Sequence, residues 1–481
     1  MPKFIGREYE LMRLQELQTK KTASLIVVKG RRRIGKSRLL DEFGKSFDHY
    51  YKFSGLPPEP GVTNQKQLDE FAIQMSREFR IAQAKYTDWG DIFWALSERV
   101  QRGKLLILFD EISWMGSEDP AFLGKIKNLW DLHLKKNDRL IFAICGSASS
   151  WIEKNILLST GFVGRISMTL TLNELSLAEC NSFFSNHASP YEKLKILSVT
   201  GGVPKYLEEI LPQYSAEENI TRLCFRKGGF LVDEFHRIFS DIFLRNSEYY
   251  KNILMILING SKGVLEICDA LDVMYHGRIS EYLDELELAG FVRSDYLWNL
   301  QTGTDTRLKK YRLSDNYIRF YLKYIEKNYS QIQRDAFEVK LSSSLPQWAT
   351  MMGFQFENLV LMNRRLLQET LRIRPEEIAS ENPYFQKETK QHKQCQIDYL
   401  VQTRHHTLYV CEIKFSKNPI GVEVIAEVQE KIRRLKYPKG FSTRPVLIHV
   451  NGVTEDVIDE CYFSDIVDFS AFLDSDSKKR T

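Results

Sequence analysis

The chain has 481 residues, 43% hydrophobic and 27% charged, and carries a formal net charge of +4. That length suggests about three domains, each able to bury its own core. The near-neutral charge gives no whole-chain argument for nucleic-acid binding, and the absence of an apolar run of about 18 residues excludes an expected transmembrane helix. The stretch Met1–Glu8 lacks a signal peptide's apolar run, and seven scattered cysteines read as reduced core thiols. A cytoplasmic protein with no membrane partner is the expectation.

In chain order, Ser24–Val28 is a short β-branched run before a Gly-bounded basic loop, and a helical pattern follows from Ser37. Leu105–Phe109 is a second apolar run ending in Asp110-Glu111, and Leu140–Cys145 a third ending in Gly146-Ser147. Continuous apolar runs are typical of parallel strands buried on both faces, and their alternation with helices predicts a doubly wound α/β sheet. Ligands bind at the carboxyl ends of such strands, where all three polar terminations fall.

Gly30–Ser37 satisfies G-x-x-x-x-G-K-[ST] between a predicted strand and helix, the context that makes the pattern a phosphate-binding loop. Its backbone N–H groups, from Gly30, Arg31, Arg32, Arg33, Ile34 and Gly35 onward to Arg38, would cradle the phosphates of ATP or ADP. Lys36 would reach the β/γ-phosphates and the Ser37 hydroxyl would ligate Mg²⁺. Asp110 would hold Mg²⁺ through water, and Glu111 would orient and deprotonate the attacking water. Ser147 and Ser149 either sense the γ-phosphate or cap the next helix. Arg165 is either an arginine finger, in cis or from a neighbouring subunit of a nucleotide-dependent homo-oligomer, or a surface ion pair.

From Leu172 to Ser240 the pattern is helical, interrupted at Gly201-Gly202-Val203-Pro204. From Tyr249 to Leu313 it reads as three short helices, then strands at Val292–Tyr296 and Lys309–Leu313, the pattern of a winged helix-turn-helix. The helix Ser280–Ala289 carries Glu281, Asp284, Glu285 and Glu287, a poor face for DNA phosphate, so an internal spacer is favoured over a DNA reader. Arg278, Arg293, Arg307, Lys309 and Lys310 remain available for backbone contact. After a polar stretch at Ser342–Pro346 comes helix, hairpin, helix, strand. The expected divisions are 1–171 (P-loop core), 172–240 (helical lid), 241–328 (winged helix) and 345–473 (C-terminal α/β domain).

A hairpin symmetric about His405 places Asp398 opposite Glu412, and opposed residues share a face. Lys414 is two residues on, so it shares that face. Two carboxylates suit Mg²⁺ or Mn²⁺, with Lys414 positioning water and Glu357 offering a third carboxylate. A salt-bridged hairpin face is the alternative.

Together Phe4–Glu8, Gly30–Ser37, Leu108–Glu111, Cys145–Ser147, Gly164-Arg165 and Gly201–Pro204 resemble the archaeal-type ATPases of the STAND class within the AAA-like group. The resemblance implies that Arg7 lies near the adenine and Pro204 in a lid that contacts nucleotide, in a nucleotide-gated switch. The C-terminal pattern resembles the PD-(D/E)xK nuclease superfamily. It implies roles for Glu357 as first-helix acid, Asp398 as hairpin acid, Glu412-x-Lys414 as the ExK pair, and Gln429 as a further polar residue. Ile397, where many members have proline, is a departure. The expected fold is therefore a P-loop parallel sheet with helical lid, a winged helix-turn-helix, and a restriction-endonuclease-like α/β domain. The expected function is an ATP-hydrolysing switch coupled to metal-dependent cleavage of DNA. The alternative is a regulatory ATPase whose C-terminal domain only binds nucleic acid or a protein partner.

Overall fold

In the computed structural model the described residues are 4–57, 59–116, 118–147, 149–242, 247–275, 277–338, 342–390 and 392–474. The chain divides into two compact units. The first comprises Met1–Leu175 with the short segments Ser240–Leu244 and Leu288–Gly290, and the second comprises the rest.

The first unit is built on strands β1 (Ser24–Lys29), β2 (His49–Ser54), β3 (Leu105–Asp110), β4 (Leu140–Gly146) and β5 (Ile166–Thr171). They pair in the order β2-β3-β4-β1-β5, and every pairing is parallel. Side chains alternate between two cores. Leu25, Val27, Ile107, Phe109, Phe142 and Ile144 pack on one face, and Ile26, Val28, Leu106, Leu108, Ile141 and Cys145 on the other. Burial on both faces is why the three central strands read as unbroken apolar runs. The order also sets β1, β3 and β4 side by side, so their carboxyl ends form one edge.

The second unit begins with helices, including Pro190–Thr200 and Ala216–Cys224, each started by a serine side chain that accepts a backbone N–H. The helices Ser247–Leu257, Val264–Leu271 and Gly277–Leu288 follow. Strands β6 (Val292–Asn299) and β7 (Thr304–Leu313) then form an antiparallel hairpin, with Tyr296 opposite Lys309 and Ser294 opposite Tyr311. After the helix Trp348–Met362 comes a mixed sheet of β8 (Ile378–Gln386), β9 (Cys395–Thr403), β10 (Thr407–Ile413), β11 (Ser442–His449) and β12 (Asp465–Asp468). Its order is β12-β11-β10-β9-β8, parallel on the β12 side of β10 and antiparallel on the β8 side.

The segments expected as separate lid, hairpin and C-terminal domains interlock within this unit. The buried Gln355 amide donates to the carbonyls of Ser198 (2.7 Å) and Asn316 (2.6 Å). Trp298 on β6 donates to Gln402 on β9 (2.7 Å), and Lys193 reaches the Leu473 carbonyl (2.9 Å). No helix among the described residues is long and apolar enough to cross a membrane.

Candidate functional site

The loop after β1 turns sharply and its glycines are required. Gly30 sits at φ +148°, and a Cβ there would stand 2.5 Å from the Leu172 carbonyl oxygen. Gly35, at φ +89°, opens the helix Lys36–Gly44 in the left-handed region that favours glycine. The Lys36 ammonium is buried and donates to the carbonyls of Gly30 (3.0 Å) and Arg31 (2.9 Å), curled back over its own loop. Ser37 and Arg38 follow in the first turn of the helix, both half-buried. Ile34 is fully buried beneath the loop, and Arg33 takes a left-handed φ of 69°. Arg31 pairs with Glu174 at 3.5 Å, and Arg32 lies over the Trp114 ring.

Asp110 ends β3 and is buried; one of its oxygens accepts from the Glu111 N–H (3.2 Å). Lys52, at the end of neighbouring β2, stands 3.5 Å from the other oxygen and 3.3 Å from Asp41. Glu111 takes a left-handed φ of 50° and begins the short helix Ile112–Met115. Its carboxylate accepts from the Ser147 N–H (3.0 Å) and Ser147 hydroxyl (2.9 Å). Ser147 is thus a holder of Glu111, and the side chain of Ser149 lies outside the described residues. The structure brings together the Gly30–Ser37 loop, Asp110, Glu111 and Ser147 on three adjacent strand ends.

Three expected residues stand elsewhere. Arg7 is buried, and its guanidinium donates to the carbonyls of Ile34 (3.1 Å) and Asn173 (2.6 Å) and pairs with Glu10 (3.0 Å). It therefore braces the underside of the loop. Arg165 makes a two-pronged pair with Asp131 (3.0 and 2.8 Å), whose hydrogen bonds hold the Asp131 carboxyl down to about 2. That is the ion pair weighed against an arginine finger. Pro204 opens the helix Pro204–Leu207 in the second unit.

In the C-terminal sheet the pairing of β9 with β10 is symmetric about position 405, with Cys411 opposite Tyr399. The next position places Asp398 and Glu412 on one face, and Asp398 accepts the Ile413 N–H (2.9 Å). Glu412 has an ammonium on each oxygen: Lys414 at 3.1 Å on one and Lys431 on the other. Lys431 also stands 3.7 Å from Asp398, and Lys414 pairs with Glu427 at 2.6 Å. Burial, then the neighbouring Glu412, pushes the Asp398 carboxyl up to about 6. Burial works against the charged form of Lys431, but Asp398 and Glu412 raise its pKa on balance.

Sequence reasoning missed Lys431 and Glu427. They are four residues apart, hence on one face of the helix Glu423–Arg434, while Gln429 is turned outward and exposed. Glu357, on the helix Trp348–Met362, lies in the field of Asp398, Arg312 and Arg319; burial first, and Asp398 second, raise its carboxyl to about 8. Among the described residues no group of three or more His, Cys, Asp and Glu is arranged to hold a metal ion. The structure thus does not bring Glu357 into one ligand set with Asp398 and Glu412. The latter pair matches a hard divalent cation in donor chemistry, since both are carboxylates and Mg²⁺ keeps several waters. The Lys431 ammonium holds the same oxygens.

Three of the four acids of the helix Gly277–Leu288 have partners within the unit. Glu287 accepts from the Ser294 N–H (3.0 Å) and hydroxyl (2.6 Å), Glu285 accepts from the Tyr250 hydroxyl, and Asp284 stands 3.9 Å from Lys309. This is the pattern of a packing helix.

Residues 4–210 match the model of an ATPase domain predominantly from Archaea, and residues 321–431 match a model of archaeal and bacterial proteins of unknown function. Over 364 residues the chain is 27% identical to an uncharacterized protein of Methanocaldococcus jannaschii, a match covering 74% of this chain and 76% of that one. Among solved structures, a Walker-type ATPase of Pyrococcus abyssi superposes with a TM-score of 0.50 at 17% identity, covering 66% of this chain and 96% of that one. The chain therefore carries a P-loop ATPase domain of archaeal type, joined to a C-terminal mixed-sheet domain.

Proposed function

We infer that the protein is an ATP-dependent switch whose C-terminal domain is a metal-dependent phosphodiesterase acting on nucleic acid. The observation that supports this most is the convergence of Asp398, Glu412 and Lys414 on one sheet face. Opposed carboxylates taken from water are costly unless they serve a cation.

At the ATPase site, the loop N–H groups and Lys36 bind the phosphates, Ser37 and Asp110 are the residues that would hold Mg²⁺, and Glu111 takes the proton of the attacking water. Ser147 positions Glu111 for that task through two hydrogen bonds. At the C-terminal face, Asp398 and Glu412 are the residues that would hold Mg²⁺. When bound, the ion supplies charge stabilisation and an acidified water. Lys414, an ammonium held by Glu412 and Glu427, would orient that water by donating to it.

The test is incubation of the purified protein with DNA, Mg²⁺ and ATP, beside Lys36→Ala and a Glu412→Ala, Lys414→Ala double variant. Cleavage no greater than that of the double variant would remove the phosphodiesterase reading. A second reading is favoured by the pairing of Lys431 with both carboxylates: a regulatory ATPase whose C-terminal face only binds nucleic acid or protein. It predicts ATP-dependent binding without cleavage.

A further inference from the structure

The Asp398–Glu412 face does not open on bulk solvent alone. Asp398, Glu427 and Lys431 are among the residues lining a cavity of about 900 Å³ within the second unit. One wall is the β6–β7 hairpin, through Leu297, Arg307 and Leu308, joined by Leu265 at the start of the helix Val264–Leu271. The other wall comes from β8 and the residues after it, through Phe385 and Lys387. Two elements with no evident common task in the sequence thus line one groove, and Asp398 of the carboxylate face lies in the same lining.

The chemistry of the walls is divided. Leu265 and Leu308 are 61% and 55% exposed, a high exposure for apolar side chains, and they lie on the hairpin side. Most cations of the groove are matched: Lys310 stands 3.6 Å from Glu266 and 4.6 Å from the Phe385 ring centroid, and Arg434 pairs with Glu430 at 2.7 Å. Arg307 and Lys387 are exposed and have no acidic partner among the described residues. An apolar wall beside unmatched cations suits a strand that alternates flat apolar bases with phosphates. The volume is at the upper end of small-ligand pockets, about 300–1,000 Å³. Such a volume suits a few nucleotides of one strand, whereas a duplex hides the base faces that an apolar wall would meet.

We propose that this groove binds single-stranded nucleic acid and leads a phosphodiester to Asp398. Arg307 and Lys387 contact its phosphates, and Leu265, Leu297 and Leu308 face its bases. The hairpin is then a guide for the C-terminal site, in place of the internal spacer that its sequence pattern favours. The proposal rests on the reading of the Asp398–Glu412 face as one that acts on phosphodiesters.

The test is fluorescence anisotropy with labelled oligo-dT, oligo-U and a duplex of equal length, in chelator so that nothing is cut. The expected results are tighter binding of the single strands and a loss of about tenfold or more in an Arg307→Ala, Lys387→Ala variant. With two phosphate contacts removed, the slope of log K against log salt should fall by about 1.4. Both residues are exposed, and circular dichroism would confirm that the variant is folded. Equal or tighter duplex binding, unchanged affinity in the variant, or no single-strand binding would each overturn the groove. Because binding is read without metal, the two ideas fail separately. Strand binding that survives with no cleavage removes the phosphodiesterase reading, while cleavage with unchanged variant affinity removes the groove.

Discussion

Lys431 is the residue whose removal says most about the C-terminal face. The side chains of Glu412, Asp398 and Lys431 are 5%, 16% and 28% exposed, so both carboxylates depend on this ammonium in a mostly dry setting. Removing one partner of a buried pair costs about 3–5 kcal/mol. The partial exposure of Lys431 and the remaining Lys414 at 3.1 Å bring the expectation for Lys431→Met to about 2–3 kcal/mol. The loss should appear locally, as faster amide exchange in β9 and β10 in chelator. The same change should help a metal. In the parent protein a divalent ion must displace a charged hydrogen bond worth about 1.5–3 kcal/mol, so the variant should bind Mg²⁺ about 10–150-fold more tightly by calorimetry. Added Mg²⁺ should then restore protection to β9 and β10. Equal Mg²⁺ affinity in the two proteins would refute the idea that ammonium and metal contend for the same oxygens.

Lys36→Ala removes the buried ammonium of the phosphate loop, and nucleotide affinity measured by equilibrium titration should fall about 10–150-fold with the fold intact. Glu111→Gln should leave ATP binding in place and lower kcat about 10²–10⁴-fold, the range for a lost general base. Ser147→Ala should lower kcat by less, since the Ser147 N–H still holds Glu111 at 3.0 Å. Burial raises the carboxyls of Asp398 and Glu357 to about 6 and about 8, above their unfolded values. A raised acid contributes stability that is full below the unfolded pKa and lost as pH rises through the folded one. Metal-free stability of the second unit should therefore decline from about pH 4 to about pH 8 in denaturant titrations, and Asp398→Asn should flatten the lower half of that slope. Gln355→Leu should leave ATP hydrolysis unchanged while shifting any effect of nucleotide on the C-terminal face by about 0.5–2 kcal/mol, measured as strand affinity with and without ATP.

What the sequence made legible follows the sheets' own logic. The central strands β1, β3 and β4 are buried on both faces and announce themselves as apolar runs. The strands that escaped notice are β2, β5, β8 and β12, and all four lie at sheet edges. An edge strand packs few apolar side chains and tolerates polar ones: β2 reads His-Tyr-Tyr-Lys-Phe-Ser, and β8 contains Asn382 and Pro383. The same blindness hid Lys52, which reaches Asp110 from an edge. On the C-terminal face the two strands were legible because a hairpin's symmetry fixes register, and the pairs from Leu408 with Gln402 to Cys411 with Tyr399 follow the symmetry about position 405. The facing helix has no such symmetry. A helix face is set by rotation, and Gln429 lies two residues from both Glu427 and Lys431, about 200° around the axis, hence on the far side.

Within the second unit the helix Pro190–Thr200 and the carboxylate face are linked by one element. Gln355 on the helix Trp348–Met362 bonds the Ser198 carbonyl at the end of Pro190–Thr200, and Glu357, two residues on, sits in the field of Asp398. Gln355 is fully buried, so a shift of Ser198 cannot be absorbed by water and must either break that bond or move the helix. A moved helix changes the distance from Glu357 to Asp398, and with it the charge that a metal or Lys431 meets there. The lever needs no long path, because its two contacts are separated by half a helical turn. Linkage is reciprocal: if displacement of Ser198 changes what Asp398 and Glu412 bind, occupancy there biases the position of Ser198 with the same coupling free energy.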